Sequence, residues 1–209
     1  MTSSHLYELI NQLVAQGYTI IDQAIPLDLV TQLRQEALNL QKNGLMQRAK
    51  TGQAPKSNLT NELRGDFTYW LEDAEDRLSA TSAYLEHMQA IKVSINQSLY
   101  LGLFDYETHY AIYPAGTGYS KHLDQFQQGK AGNTNGQRKI STALYLNEHW
   151  QTQDGGQLRL YLDDNLENSH IDIEPLTGRL VIFLSDRFWH EVLPAKRDRV
   201  SLTGWFRTR

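Results

Sequence analysis

The chain has 209 residues, a formal net charge of −4, 21% charged residues and no cysteine. That length can bury one good core with an appended layer, and the slight acidic excess argues against nucleic-acid binding driven by phosphate neutralisation. Without cysteine there can be no disulfide, thiolate zinc site or cysteine nucleophile. No apolar run approaches membrane-spanning length, and MTSSHLYELINQ has neither the basic start nor the apolar core of a signal peptide. The expectation is a soluble cytoplasmic protein with no membrane partner.

The first hundred residues read mainly as helix. Leu6, Leu9, Ile10, Leu13 and Val14 recur at helical spacing up to Gly17, which sits where a C-terminal cap would. A short strand, YTII at 18–21, follows. Pro26 then opens a second helix at a first-turn position, with Leu29, Val30, Leu33, Ala37 and Leu40 on one stripe and Gly44 closing it. RAKTGQAPKSNLTNE at 48–62 has no apolar periodicity and reads as a mobile loop. A third helix is expected over 79–100. After Gly102 the pattern changes to short β-branched and aromatic runs between turn clusters: FDYETHYAIY, RKISTALYLN, QLRLYL, SHIDIE, RLVIFLS, FWHEVLP and RVSLTGWF. Strands at this spacing predict an antiparallel sandwich or barrel. The predicted architecture is therefore one domain, mainly β with α. Residues 1–101 form a helical support region with a mobile loop at 48–66, and 102–209 form a jelly-roll-like β core.

The stretch GYSKHLDQF at 118–126 carries the first chemical signal. If it is a strand, His122 and Asp124 leave the sheet on the same face while Leu123 turns away. A His-x-Asp match is expected about 0.4 times by chance in this composition, so the motif needs a third ligand. His149 and His170 lie in turn-like contexts and read as surface residues; His109, in a strand beside Tyr110, reads as a packed histidine. His190 lies in the aromatic strand FWHEVLP, where a semi-buried imidazole needs a partner. Two His and one Asp make the facial triad of non-haem Fe(II) sites, and zinc accepts the same ligands.

A provision for an anionic cosubstrate favours iron. In RVSLTGWF, Arg199, Ser201, Thr203 and Trp205 share one strand face, and Val200, Leu202 and Phe206 the other. A buried guanidinium beside a hydroxyl can grip a carboxylate end-on, and Tyr145 in STALYLN could add a phenolic hydrogen bond. Equally open from pattern alone is a structural Arg199 paired with Asp186 or Asp198.

HLD followed by FWHEVLPAKRDR, with Arg199 nine residues after His190, resembles the 2-oxoglutarate- and Fe(II)-dependent oxygenases of the prolyl hydroxylase family. The similarity is greatest to the domain enzymes that act on hypoxia-inducible factor and to their bacterial relatives. YPAGTGYSKHLD, ALYLN, DGGQLRLY, IEPLTGRLVIFLSDRFWHEVLP and RVSLTGWF follow in the family's order, and ELRGDFTYWLE resembles its loop-bracing segment, so the resemblance spans about residues 60 to 207. It implies a double-stranded β-helix (jelly-roll) barrel, with Fe(II) held by His122, Asp124 and His190. It implies 2-oxoglutarate gripped at its distal carboxylate by Arg199, Tyr145 and Thr203, with Tyr113 reaching toward the metal-bound end. Leu158, Val192 and Trp205 would wall the pocket. Arg64 and Asp66 would pair to organise the mobile loop over substrate, with Trp70 and Arg138 near the entering peptide. Dioxygen would be the second cosubstrate and ascorbate a reductant. The implied reaction is 4-hydroxylation of a prolyl residue, with release of succinate and CO2, in a protein such as a translation factor or ribosomal protein. The rival readings are the same site acting on a small molecule or nucleic acid, a non-catalytic jelly-roll binding module, and an oxygen-sensing interaction protein.

Overall fold

The computed structural model describes residues 3–49, 64–71, 79–125, 136–163 and 169–209. Most of the expected mobile loop at 48–66, and of the Gln/Gly/Asn stretch at 125–137, lies outside the described residues.

Among the described residues the α-helices are α1 (Ser3–Gln16), α2 (Leu27–Lys42) and α3 (Ser79–Leu99), all in the first half of the chain. Each buries the stripe its spacing dictates: Leu9 and Leu13 in α1, Leu29, Val30, Leu33, Ala37 and Leu40 in α2, and Tyr84, Met88, Ile91 and Ile95 in α3. Pro26 occupies the N-cap of α2 rather than its first turn, with φ −55 and ψ 139, because its C=O already accepts from the Val30 N–H at 3.1 Å. The start of α3 is capped from a different helix. Glu36 of α2 accepts the Ala80 N–H at 3.3 Å and the Thr81 hydroxyl at 2.8 Å, and also the Tyr110 hydroxyl at 2.8 Å. A carboxylate at a helix N-terminus satisfies orphan N–H groups and opposes the helix dipole. Here it also ties both helices to the sheet beneath. None of these helices is long and apolar enough to cross a membrane.

The strands are β1 (Tyr18–Ile21), β2 (Gln47–Arg48), β3 (Phe67–Trp70), β4 (Asp105–Tyr113), β5 (Tyr119–His122), β6 (Arg138–Tyr145), β7 (Leu158–Tyr161), β8 (His170–Ile173), β9 (Leu180–Leu184), β10 (His190–Val192) and β11 (Arg199–Arg207). They form a seven-stranded sheet, β1-β9-β6-β11-β4-β3-β2, and a four-stranded sheet, β5-β10-β7-β8, with antiparallel pairing throughout. From β4 onward the chain alternates between the sheets, apart from the β7–β8 hairpin, and this winding makes the expected jelly roll. The edge strand β2 and its neighbour β3 were not legible, since FTYW is short and follows the unpatterned loop. His170 belongs to β8 and lies 5.9 Å from the Tyr161 ring, so it is not a turn residue.

Two cores result. One holds the helices and the outer face of the large sheet, including Tyr110, Ile112, Ile140, Leu144, Val200, Leu202 and Phe206. The other fills the space between the sheets with Ala111, Tyr113, Ala143, Tyr145, Leu158, Val181, Phe183 and Val192 among others. β4, β6 and β9 contribute alternate residues to each, as a two-residue period requires.

Replacing Glu36 by Ala removes the cap of α3 and the acceptor of Tyr110. The expected loss is about 1–2 kcal/mol, in line with a half-buried, charge-assisted hydrogen-bond cluster. Urea unfolding should show a lower midpoint with an unchanged slope.

Candidate active site

His122 closes β5 and His190 opens β10, and the two are register partners across that antiparallel pair. Their rings lie 4.2 Å apart, centre to centre. Gly118 explains the glycine upstream of the first ligand: a Cβ there would collide with the Val192 carbonyl oxygen, so only glycine lets β5 lie this close to β10. Only His190–Val192 of FWHEVLP is strand, and Phe188 and Trp189 lie between the turn at 185–187 and β10.

Asp124 corrects the strand reading of His-x-Asp. It lies two residues beyond the end of β5, so strand alternation does not aim it. The opposite sheet does. Ser141 on β6 donates its hydroxyl to Asp124 Oδ2 at 2.7 Å, and the Ser141 and Ser185 hydroxyls are 2.8 Å apart. The carboxylate then lies 3.7 Å from His122 Nε2 and 3.4 Å from His190 Nε2. One ligand atom from each of the three residues falls within 4.8 Å of the others.

Both imidazoles are oriented from behind. His122 Nδ1 is 2.8 Å from the Ser120 carbonyl oxygen, and His190 Nδ1 is 3.0 Å from that of Phe188. A carbonyl only accepts, so each Nδ1 carries a proton, which leaves each Nε2, facing Asp124, as the nitrogen able to bind a metal. Burial, reinforced by neighbouring His190, depresses His122 to about 3 and keeps it neutral. Burial pushes Asp124 upward, but His190, His122 and the Ser141 hydroxyl hold its carboxyl well below the usual range. His190 is pushed down by burial and raised, on balance, by that carboxylate. Two Nε2 lone pairs and one anionic oxygen converging on a point are a donor set that fits a divalent ion, Fe(II) or Zn(II).

His122 is also clamped from outside. Its ring stacks on Tyr119 at 3.6 Å, and the Arg64 guanidinium lies 4.8 Å over the far face of Tyr119. Arg64 grips Asp66 through two bonds of 2.6 and 2.9 Å, and Asp66 is completely buried. The expected Arg64–Asp66 pair is therefore present, and it braces a metal-ligand candidate through Tyr119, a residue the sequence pattern did not single out.

Arg199 is 2% exposed and makes no ion pair among the described residues. Its expected alternative partners are engaged elsewhere: Asp186 with Lys139 at 3.7 Å, Asp198 with the Ala115 N–H at 3.1 Å. Its Nε donates to the Gly156 carbonyl at 2.9 Å, and its guanidinium lies 4.8 Å from the Tyr145 ring and 5.4 Å from that of Tyr113. Gly156, at φ +70, admits this approach; a Cβ there would press on Arg199, Trp150 and Ala195. The Tyr145 hydroxyl and Ser201 Oγ, on register partners of β6 and β11, are buried without hydrogen-bond partners among the described residues. A buried cation and two orphaned hydroxyls in one place are what an incoming carboxylate would satisfy. Leu158 and Val192 line the same inter-sheet space, and Thr203 and Trp205 continue the Arg199 face of β11. At the other end Trp70 lies against His109 and Trp205, with ring centres 4.5 and 6.1 Å away, and Arg138 lies 3.6 Å over Trp205 while paired to Glu107.

A jelly roll with a two-His, one-carboxylate cluster and a buried arginine beside orphaned hydroxyls has the parts of a metal-dependent enzyme that takes an anionic cosubstrate. The comparisons with known proteins agree. Residues 108–207 match the family model of the 2OG-Fe(II) oxygenase superfamily. The crystal structure of a Pseudomonas putida prolyl-4-hydroxylase is 40% identical with a TM-score of 0.83, covering 98% of this chain and 99% of that one. A Trichoplax adhaerens prolyl hydroxylase, solved with a hypoxia-inducible factor peptide fragment, is 29% identical with a TM-score of 0.81 and coverages of 99% and 94%. The hypoxia-inducible factor prolyl hydroxylase of Caenorhabditis elegans is 30% identical over 98% of this chain, which spans 28% of that relative's length. The chain belongs to the prolyl hydroxylase family of the 2OG-Fe(II) oxygenases, a family that uses Fe(II), 2-oxoglutarate and dioxygen.

The buried imidazoles set a pH dependence. Burial, reinforced by Arg64 and Arg138, lowers His109 to about 3, as burial does for His122. A base depressed in the folded state takes up protons on unfolding, so this stability is full above about pH 6.5 and is lost as pH falls toward 3. His190 acts in the opposite sense, but two such groups outweigh one. The metal-free protein should unfold at lower urea concentration at pH 5 than at pH 7.5.

Proposed function

We propose that this chain is a 2-oxoglutarate- and Fe(II)-dependent dioxygenase that hydroxylates a prolyl residue at C4 in a protein substrate, releasing succinate and CO2. The observation that carries the proposal is the meeting of His122, Asp124 and His190 in the same inter-sheet space as a buried Arg199 without a carboxylate partner. In this reading His122 and His190 offer Nε2 and Asp124 a carboxylate oxygen to Fe(II). Arg199 forms charge-assisted bonds to the distal carboxylate of 2-oxoglutarate, with Tyr145 and Thr203 completing the grip and Tyr113 extending from the Arg199 end of β4 toward the metal-bound end. Iron, 2-oxoglutarate and dioxygen together supply the oxidative decarboxylation and the oxygen atom inserted into the substrate C–H bond.

The protein's share is to position and to exclude. Ser141 holds Asp124 in place, and the Ser120 and Phe188 carbonyls fix the imidazole tautomers. Leu158, Val192 and Trp205 keep water from the cavity. Arg64 and Asp66 hold the segment preceding β3 against β5, through the Gly65 N–H to Gly118 carbonyl bond of 3.0 Å. Trp70, 36% exposed, and Arg138 flank the mouth where a proline-bearing loop would enter. The Trichoplax relative, solved with a peptide, supports a polypeptide substrate, and a loop of a translation factor or ribosomal protein is our candidate for it.

Calorimetric titration of the metal-loaded protein with 2-oxoglutarate tests the clamp. Arg199→Ala should weaken binding by about 30-fold or more, the ~2 kcal/mol or greater expected when one member of a buried charge pair is removed; unchanged affinity would reject the assignment. Asp124→Ala should lose Fe(II) binding and succinate formation together. Mass spectrometry of candidate proteins should show a gain of about 16 Da, one oxygen atom, on proline only with the active enzyme.

A further inference from the structure

We propose that His109 and Trp205 form a hydrogen-bonding subsite for a neutral carbonyl oxygen, set beside the metal-ligand cluster. The inference rests on the oxygenase reading and adds to it a residue, His109, that this reading leaves without a task. His109 is 1% exposed and Trp205 4%. Among the described residues, neither ring nitrogen of His109 has a hydrogen-bond partner, and neither does Trp205 Nε1. A buried imidazole carries one donor and one acceptor, and native interiors rarely leave both unmet unless a ligand meets them.

Strand alternation settles where His109 faces. Tyr110 and Ile112 of β4 enter the helical core, while Ala111 and Tyr113 enter the core between the sheets, and His109 shares their parity. Its register partners are Trp70 on β3 and Thr203 on β11, and Thr203 is paired in turn with Ala143. Alanines at 111 and 143 leave room in front of the imidazole. Trp205 pairs with Ser141, whose hydroxyl anchors Asp124. The two orphaned groups therefore lie on the metal side of the cavity, away from Arg199.

The rings of His109 and Trp205 are 5.5 Å apart, centre to centre. Rings that close can each donate to an oxygen placed between their edges, at ~2.9 Å per bond. Trp70 and the Arg138 guanidinium present stacking faces, and the Glu107 carboxylate is engaged by Arg138 and Arg207. Trp Nε1 only donates, and burial keeps His109 uncharged, so the pair suits a neutral acceptor, while Arg199 suits the anionic end of a ligand. Both the keto oxygen of 2-oxoglutarate and the amide carbonyl of a prolyl substrate have this chemistry.

The test is an NMR titration of the Zn(II)-loaded full chain, following the Trp205 indole N–H, identified by its loss in Trp205→Phe. The ligands are 2-oxoglutarate alone, then 2-oxoglutarate with N-acetylproline amide. A downfield shift with 2-oxoglutarate alone identifies the keto oxygen; one only with the prolyl amide identifies the substrate carbonyl. In either case His109→Phe should remove the shift and weaken that ligand about tenfold, the loss typical of one specific hydrogen bond. His109→Gln, which keeps a donor and an acceptor, should retain most of the affinity. A resonance unmoved by both ligands overturns the inference, with no variant needed, as does a shift that persists in His109→Phe. If 2-oxoglutarate binds with its Arg199-dependent affinity in those cases, the oxygenase reading stands; if it does not bind at all, both fall.

Discussion

β11 is buried on both faces, and the site depends on keeping those faces apart. Val200, Leu202 and Phe206 pack toward the helices, while Arg199, Ser201, Thr203 and Trp205 point between the sheets. A one-residue slip against β4 and β6 would drive a guanidinium into an apolar core and three large apolar side chains into the cavity. The hydrophobic packing of one face therefore fixes the register of the polar face. Glu36 strengthens the constraint from the helical side, because it ties the start of α3 to Tyr110 on the neighbouring strand.

The two sheets divide the chemistry. The small sheet supplies both imidazoles from facing positions on its two hydrogen-bonded strands. The large sheet supplies the anionic and cationic anchors, with Ser141 holding Asp124 and the start of β11 carrying Arg199. Asp124 is the link, since it leaves the chain beside one sheet and is aimed by the other. Ligand geometry thus depends on the distance between sheets, and the inter-sheet core of aromatic and branched residues sets that distance.

The inner wall carries an unusual polar load for so buried a surface. Tyr145, Ser201, His109 and Trp205 all keep polar atoms without partners there. Apolar residues of similar size would fold more stably at those positions. One such group lies at the Arg199 end and another on the side of the His122–Asp124–His190 cluster.

Residue order and alternation determined the division into helical and β halves, the two faces of β11 and the candidacy of His122, Asp124, His190 and Arg199, because periodicity of 3.6 or 2 is written locally. The bracing pair Arg64–Asp66 was legible only through family resemblance, and its link to His122 through Tyr119 was not legible at all. What the tertiary structure alone decided was partnership across sequence distance. It showed that Asp124 is steered by Ser141 rather than by its own strand, that Asp186 and Asp198 are engaged away from Arg199, and that the nitrogens of His109 are unmet. Each depends on which strands lie side by side and how far apart the sheets stand, and no local pattern in the chain encodes either.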